Sequence, residues 1–379
     1  MKEARIQTRR SSPQDLQKSS ISHGLIGKDR SRSQMRRIPN LVLLFTLFGA
    51  LSLSQCTPTP LGETIDPSSN LIGGDPRTTE AEIVTSVNQL EPVYLSTDEK
   101  LRVVTTSNLV TDTISNIGGD AIELTGLLPR GVDPHSYELT TGDLQSIHDA
   151  HVVFINGAEL EETILATLAN SGSKVPIVSL SEDLSLRTLG DPQSGDDRSE
   201  DHASGVDPHV WFDPTNVIGW SQTAQLALSS LDPENESIYQ RNAQSYGDKL
   251  KVLDAWIMEQ VSTIPEEHRV LISDHESFGY LADRYGFQVV GAVIPSFSSS
   301  ASVSAQELAD LTDTLRDLDA KIILVSTTTN SALAESIAAD TGTQVVSVYV
   351  GALSPPDGPA PTYIDLMRFD LQTIVEALR

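Results

Sequence analysis

A chain of 379 residues with 52 Asp and Glu against 26 Lys and Arg carries a formal net charge of −26, and its one cysteine excludes an internal disulfide. The length is enough for two domains. The charge excludes nucleic acid and anionic lipid surfaces as natural partners, since both are polyanions.

The first 37 residues hold ten of the basic residues and three acidic ones, and "IPNLVLLFTLFGALSLSQC" follows, ending at Cys56. A basic lead, an apolar run too short to span a bilayer comfortably and small polar residues at its end predict a secretory leader over residues 1–55. Met35 opens "MRRIPNLVLL", which makes a compact signal by itself. The position of Cys56 looks like a bacterial lipoprotein cleavage site, with Cys56 as the lipidated residue, although Gln55 departs from the small residue usual before it. Without residues 1–55 the chain keeps 16 Lys and Arg against 49 Asp and Glu, a net charge of −33. Residues 56–97, rich in Pro, Thr, Ser and Gly, read as a flexible tether.

From Leu101 short apolar runs alternate with helical stretches. "LRVVTTS", "IELTGLL", "HVVFING" and "KVPIVSL" are strand candidates, with helices at "LVTDTISNIGG" and "TGDLQSIHDA". A helix after Asp213–Pro214 stops at "LDPEN" and completes a first lobe over 98–234. Residues 235–264 then carry Tyr239, Ala243, Tyr246, Leu250, Leu253 and Ile257 at steps of three or four. That spacing predicts one long amphipathic helix linking the lobes, about 30 residues and about 45 Å. Over 265–379 "RVLISD", "QVVGAVIP", "KIILVST" and "QVVSVYV" restart the alternation. The expected class is α/β, two lobes each with a mostly parallel sheet covered by helices, joined by a rigid helix.

The pentapeptide "GVDPH" occurs twice, ending at His135 and at His209, with unrelated flanks. Different flanks argue against a duplicated domain and for two loops that each aim a histidine. Asp-Pro before each histidine limits the backbone and initiates a turn. His275 follows "RVLIS" at a strand end, where open α/β sheets hold ligands. Three neutral imidazoles suit Zn²⁺, whereas Ca²⁺ and Mg²⁺ take oxygen ligands. Coordination requires unprotonated nitrogen, so binding is expected to weaken in acid. His148 and His151 read as cap or surface residues, His268 as a connector, His23 as part of the leader, and Trp211 and Trp256 as core aromatics.

"LPRGVDPHSYELTTGDLQSIHDAHVVFINGAELE", "DPHVWFDP", "SDHESFGYLADRYGFQVVGAV" and "PTYIDLMRFDLQTIVEAL" occur in this order. Together they resemble the metal-binding solute-binding proteins of ABC transporters, from about Leu101 to Arg379. The resemblance implies an extracytoplasmic, lipid-anchored monomer that hands a divalent metal to a membrane permease. It implies His135, His209 and His275 as metal ligands, with Zn²⁺ as the cargo because histidine holds the third position. Glu there would be similar to manganese binders, so Mn²⁺ is the alternative. Many relatives supply an aspartate where this chain has Gly351, leaving the fourth ligand to water or to Asp357. The acidic stretch 190–204 with His202 corresponds to a cation-collecting loop in zinc-binding relatives, although a solvated loop explains one histidine as well.

Two rivals remain. Glu276 beside His275 could serve as general base in a zinc hydrolase, but H-E-x-x-H would need histidine at Gly279, and no nucleophile elbow, P-loop or dinucleotide fingerprint is present. The chain therefore reads as no enzyme. Some relatives resemble surface adhesins, and nothing in the sequence requires that role.

Overall fold

The computed structural model describes residues 80–188 and 205–379. The leader, Cys56 and the acidic stretch with His202 lie outside the described residues.

Strands β1 (Leu101–Thr105), β2 (Ile122–Gly126), β3 (Val152–Ile155) and β4 (Ile177–Ser179) pair in parallel in the order β2-β1-β3-β4. Strands β5 (Val270–His275), β6 (Gln288–Ile294), β7 (Ile322–Ser326) and β8 (Gln344–Val348) repeat the plan as β6-β5-β7-β8. Every residue of β3 and of β7 is buried. Parallel strands covered on both faces need such continuous apolar runs, which "VVFI" and "IILVS" supply. In each sheet the chain steps to one side of its first strand and then crosses to the other. A crevice is expected where the connections diverge, at the carboxyl ends between β1 and β3 and between β5 and β7.

The crossovers are helical, as parallel pairing requires. In the first half they include α2 (Asn108–Gly118), α3 (Thr141–Asp149) and α4 (Glu162–Ser171); in the second, α7 (Gly279–Tyr285), α8 (Ala305–Asp317) and α9 (Ala332–Thr341). Their ends follow local chemistry. Thr140 and Ser304 each form a reciprocal capping box, with Asp143 and Glu307. Helices α4, α7 and α9 end on Gly172, Gly286 and Gly342 in left-handed conformation. The helix α5 (Pro214–Leu231) starts on Asp213, whose side chain accepts from Thr215 N, with proline at its first turn.

The long helix α6 spans Glu236–Val261, 26 residues. It buries Tyr239, Tyr246, Leu250, Leu253, Ile257 and Val261 against α2, α5 and the closing helix α10 (Tyr363–Leu378). That is the stripe that the three-and-four spacing predicts, at about 39 Å from the usual rise per residue. Trp256 lies at its edge, partly buried under the Arg368 guanidinium 4.6 Å from its ring.

One feature differs from the sequence reading. The tether expected over 56–97 is, from Glu80 onward, packed on the body. A short helix α1 (Glu80–Ile83) leads in, Thr85 N donates to Ile177 O, Val93 N donates to Leu231 O, and Leu90 joins the core. The return from β8 to α10 is also fastened to the first half of the chain. Arg130 Nη1 donates to the carbonyls of Ser354 and Pro361, both at 2.8 Å, and Asn108 Oδ1 accepts from Leu353 N. Among the described residues no helix is long and apolar enough to cross a membrane.

Leu250 is fully buried on α6 whereas Val252 is 63% exposed. Leu250→Ala should therefore lower the unfolding free energy by about 2–5 kcal/mol, and Val252→Ala should stay within about 0.5 kcal/mol, in urea titration of metal-free protein.

Candidate metal centre

The twin pentapeptide folds the same way twice. Asp133 Oδ1 accepts the backbone N–H of His135 at 3.0 Å, and Asp207 Oδ1 accepts that of His209 at 3.0 Å. Each Asp-Pro-His is an Asx turn, closed by the aspartate across a proline that has no N–H of its own. The first turn follows β2 and runs into a 3₁₀ turn at Pro134–Ser136. The second precedes the 3₁₀ turn Val210–Phe212 that leads into α5. His275 is the last residue of β5.

These three places, far apart in sequence, meet at one point. His135 Nε2 and His275 Nε2 each lie 3.2 Å from His209 Nε2. Nitrogens bound to one tetrahedral ion at about 2.0–2.1 Å stand about 3.3–3.4 Å apart, so the spacing is that of a coordination shell. His209 and His275 are buried and His135 is partly buried. Among the described residues no carboxylate joins the cluster.

The imidazoles are turned inward by acids behind them. His209 Nδ1 lies 2.9 Å from Asp207 Oδ1, and His275 Nδ1 lies 2.8 Å from Asp274 Oδ1. A carboxylate accepts, so each Nδ1 carries the proton and each Nε2 presents a lone pair to the centre. Asp274 is held by Ser326 N at 2.8 Å and by the Thr329 hydroxyl. Asp207 takes Arg187 Nη1 at 3.4 Å, and Arg187 Nε is fixed by Asp283 at 2.7 Å. Asp133 is different: its second oxygen accepts from Ser299 Oγ at 2.6 Å, across from the loop that follows β6.

Burial sets the protonation of the metal-free site. It holds the His135 imidazole down at about 4, aided by the charge His275 can carry. It also keeps His209 well below the ordinary range, aided by His275 and His135. The acid window expected from ordinary histidine therefore moves downward. Burial pushes Asp207 up to about 7 against its hydrogen bond from His209 and the Arg187 charge. Burial also raises Asp274, but donors from His275, Thr329 and Ser326 outweigh it and leave that carboxyl below its usual value.

Two glycines are fixed by the site. A Cβ at Gly351 would lie 2.8 Å from Pro134 Cγ, inside the turn that carries His135. Position 351 thus offers no ligand, and Trp211 Nε1 holds the neighbouring Val350 carbonyl at 2.9 Å. A Cβ at Gly279 would lie 1.4 Å from Arg187 Nη1, so the second histidine of H-E-x-x-H has no room while Arg187 supports Asp207. Of the remaining histidines, His148 is exposed beside Asp149, His151 sits on Arg102, and His268 reaches the Leu378 carbonyl. The sequence reading named the three imidazoles and missed Asp207, Asp274, Arg187 and Ser299. The aspartate two before His209 and the one directly before His275 were its available signals.

The sequence profile described as the periplasmic zinc-uptake complex component A matches residues 103–377. The manganese-binding lipoprotein MntA of Halalkalibacterium halodurans is 31% identical over 281 residues, 74% of this chain and 89% of that protein. The iron-binding protein YfeA of Yersinia pestis is 30% identical over 285 residues, 74% of this chain and 87% of that protein. Among solved structures, the periplasmic zinc-binding protein TroA of Treponema pallidum superposes with a TM-score of 0.66 at 26% identity, over 74% of this chain and 99% of that one. A manganese-bound periplasmic metal-binding protein of Candidatus Liberibacter asiaticus gives 0.64 at 29% identity, over 74% of this chain and all of that one.

Unfolded, the His135 imidazole titrates near 6.5; folded, it titrates at about 4. Between these values the unfolded chain binds more protons, so stability is present above about 6.5 and is lost as pH falls toward 4. Chemical denaturation of metal-free protein should show a steeper loss over that window in the wild type than in His135→Gln. Gly351→Ala should cost about 1–3 kcal/mol through the contact with Pro134 and should weaken metal binding in calorimetry, because His135 rides on that turn.

Proposed function

The chain belongs to the periplasmic zinc-uptake complex component A family, and on that footing we propose that it is the extracytoplasmic solute-binding protein of an ABC transporter, with Zn²⁺ as its cargo. His135, His209 and His275 are the ligands in this reading, and a membrane permease receives the metal. The observation that carries it is the convergence of three Nε2 atoms with two of the opposite ring nitrogens on buried aspartates. An all-imidazole set favours a borderline ion such as Zn²⁺, whereas Mn²⁺ prefers carboxylate oxygen. The relatives named above are described as binding manganese, iron or zinc, so the preference for Zn²⁺ in this reading rests on the donor set. Water is the proposed fourth ligand, since position 351 lacks a side chain and Pro134 crowds it.

Capture and protonation are coupled. A cation at the centre favours neutral imidazole at the three histidines and the ionised form of Asp207, so loading releases protons. The linking helix 235–264 and the fastening of the 353–363 return to Asn108 and Arg130 favour small lobe movement on release. Residues 1–55 as a leader, Cys56 as a lipid anchor and 56–79 as a tether complete the proposal, with the chain acting as a monomer outside the cytoplasm. A hydrolytic role for Glu276 gains no support from the geometry around Gly279.

Competition calorimetry on the full chain tests the reading. One equivalent of Zn²⁺ should bind against excess Mn²⁺. Loss of a partner carboxylate in Asp274→Asn should weaken Zn²⁺ about 10–100-fold, and His275→Ala should weaken it further. Preference for Mn²⁺, or Zn²⁺ binding unchanged in His275→Ala, would sink the assignment.

A further inference from the structure

Because the two sheets share one strand order, β6 stands in the second sheet where β2 stands in the first. The loop after β2 carries Asp133 and His135. The loop after β6, residues 295–304, reads "PSFSSSASVS" and holds neither histidine nor acid. It nevertheless touches all three segments that carry the imidazoles. Ser296 O accepts from Glu276 N, next to His275, at 2.9 Å. The Phe297 ring lies against Gly205, where a Cβ would meet its Cδ2 at 3.7 Å, at the head of the turn that carries His209. Ser299 Oγ donates to Asp133 Oδ2 at 2.6 Å.

His135 is the imidazole with the least support. The rings of His209 and His275 have Asp207 and Asp274 on Nδ1. Among the described residues no acid takes that place on His135, which alone of the three is only partly buried. Its aim rests on the Asx turn, in which Asp133 Oδ1 holds the His135 N–H at 3.0 Å. Both oxygens of Asp133 are thus engaged: one fixes the His135 backbone, and the other is fixed by a serine from the opposite sheet. The loop that brings this serine has open volume beside it, since Ile294 and Ser299 line a cavity of about 480 Å³ together with Asn330 and Leu333 from after β7. A loop flanked by open space keeps its place through the few contacts it does make, and these face the imidazoles.

We propose that Ser299 is a positioning residue for His135 and that the loop 295–304 is the clasp of the metal centre. Release starts when the Ser299–Asp133 hydrogen bond opens; the first Asx turn then loosens, and His135 lets go before His209 and His275. The role rests on the reading of the three histidines as ligands of a transported cation.

Stopped-flow release of Zn²⁺ from the loaded full chain into excess chelator tests the clasp. Ser299→Ala removes one hydrogen bond to a charged acceptor, so release should quicken roughly tenfold, with association changed by less than about twofold. Ser299→Thr keeps the hydroxyl, and its added methyl has the cavity beside it, so release should stay at the wild-type rate. Ser300→Ala, at the exposed neighbour, should also release like the wild type. In metal-free protein, amide hydrogen exchange over 131–137 should quicken several-fold in Ser299→Ala, while exchange over 205–212 and the thermal midpoint stay unchanged. Release or exchange at the wild-type value in Ser299→Ala, or release as fast in Ser299→Thr as in Ser299→Ala, would overturn the proposal. Exchange that quickens over 131–137 in a chain that holds no Zn²⁺ would sink the metal reading and keep the tie between Ser299 and the turn.

Discussion

Two lone pairs that face each other across 3.2 Å repel, and the centre of this protein holds such pairs by design. His209 and His275 each give their Nδ1 proton to a buried aspartate, which leaves Nε2 of both as acceptors pointed at one another and at His135. Between His209 and His275 neither ring then has a proton to offer, and buried acceptors facing each other in this way are costly in an interior of low polarity. A cation with affinity for nitrogen converts that cost into coordination. The rest of the architecture can be read as what is needed to keep the three rings from relaxing apart.

The restraints come from several directions at once. Asx turns fix the backbone of His135 and His209, a sheet strand fixes His275, and the aspartates behind two of the rings have their own donors. Arg187 illustrates the depth of this support. It reaches Asp207 only because Gly279 has no side chain, while Tyr280 next door donates to the Asp207 carbonyl and accepts from Arg187 N. Behind these polar contacts the Trp211, Phe212 and Phe278 rings pack in contact, so the turn carrying His209 rests on core. Each ring is thereby held by elements with little freedom of their own, which is the condition for a preorganised site.

Local signals made much of this legible. Apolar runs marked the strands, three-and-four spacing marked α6, and a repeated Asp-Pro-His marked two histidines whose common turn the structure explains. His275 was tied to them by resemblance to a family, since its spacing in the chain says nothing about proximity. The partners of the imidazoles were harder to read. Asp207 and Asp274 stand within two residues of their histidines, but an acid beside a histidine is ordinary in so acidic a chain. Arg187 and Ser299 act across folds of the chain that no local pattern encodes. Residues 80–97 were misread for a related reason: their composition suits a tether, and only the edge they pack against, at Ile177 and Leu231, turns them into structure.

Position 351 shows how one backbone contact can decide chemistry at a distance. Pro134 closes the first Asx turn and so aims His135, and the ring of Pro134 occupies the space that a side chain at 351 would need. A side chain at 351 would therefore displace the Pro134 ring and with it the turn that aims His135. The chain has glycine there, and the cluster that results is nitrogen without carboxylate among the described residues. The nitrogen-only character of the cluster thus rests on the packing of this turn as well as on the imidazoles themselves. The same reasoning applies across the two sheets: Glu161, from the start of α4, accepts from the Thr106 hydroxyl and Asn156 N in the first, and Asp274, from the end of β5, accepts from the Thr329 hydroxyl and Ser326 N in the second. A single plan of strands has been used twice, and its two copies differ in which element supplies the buried carboxylate; in the second it comes from β5 itself and so stands directly behind the His275 ring.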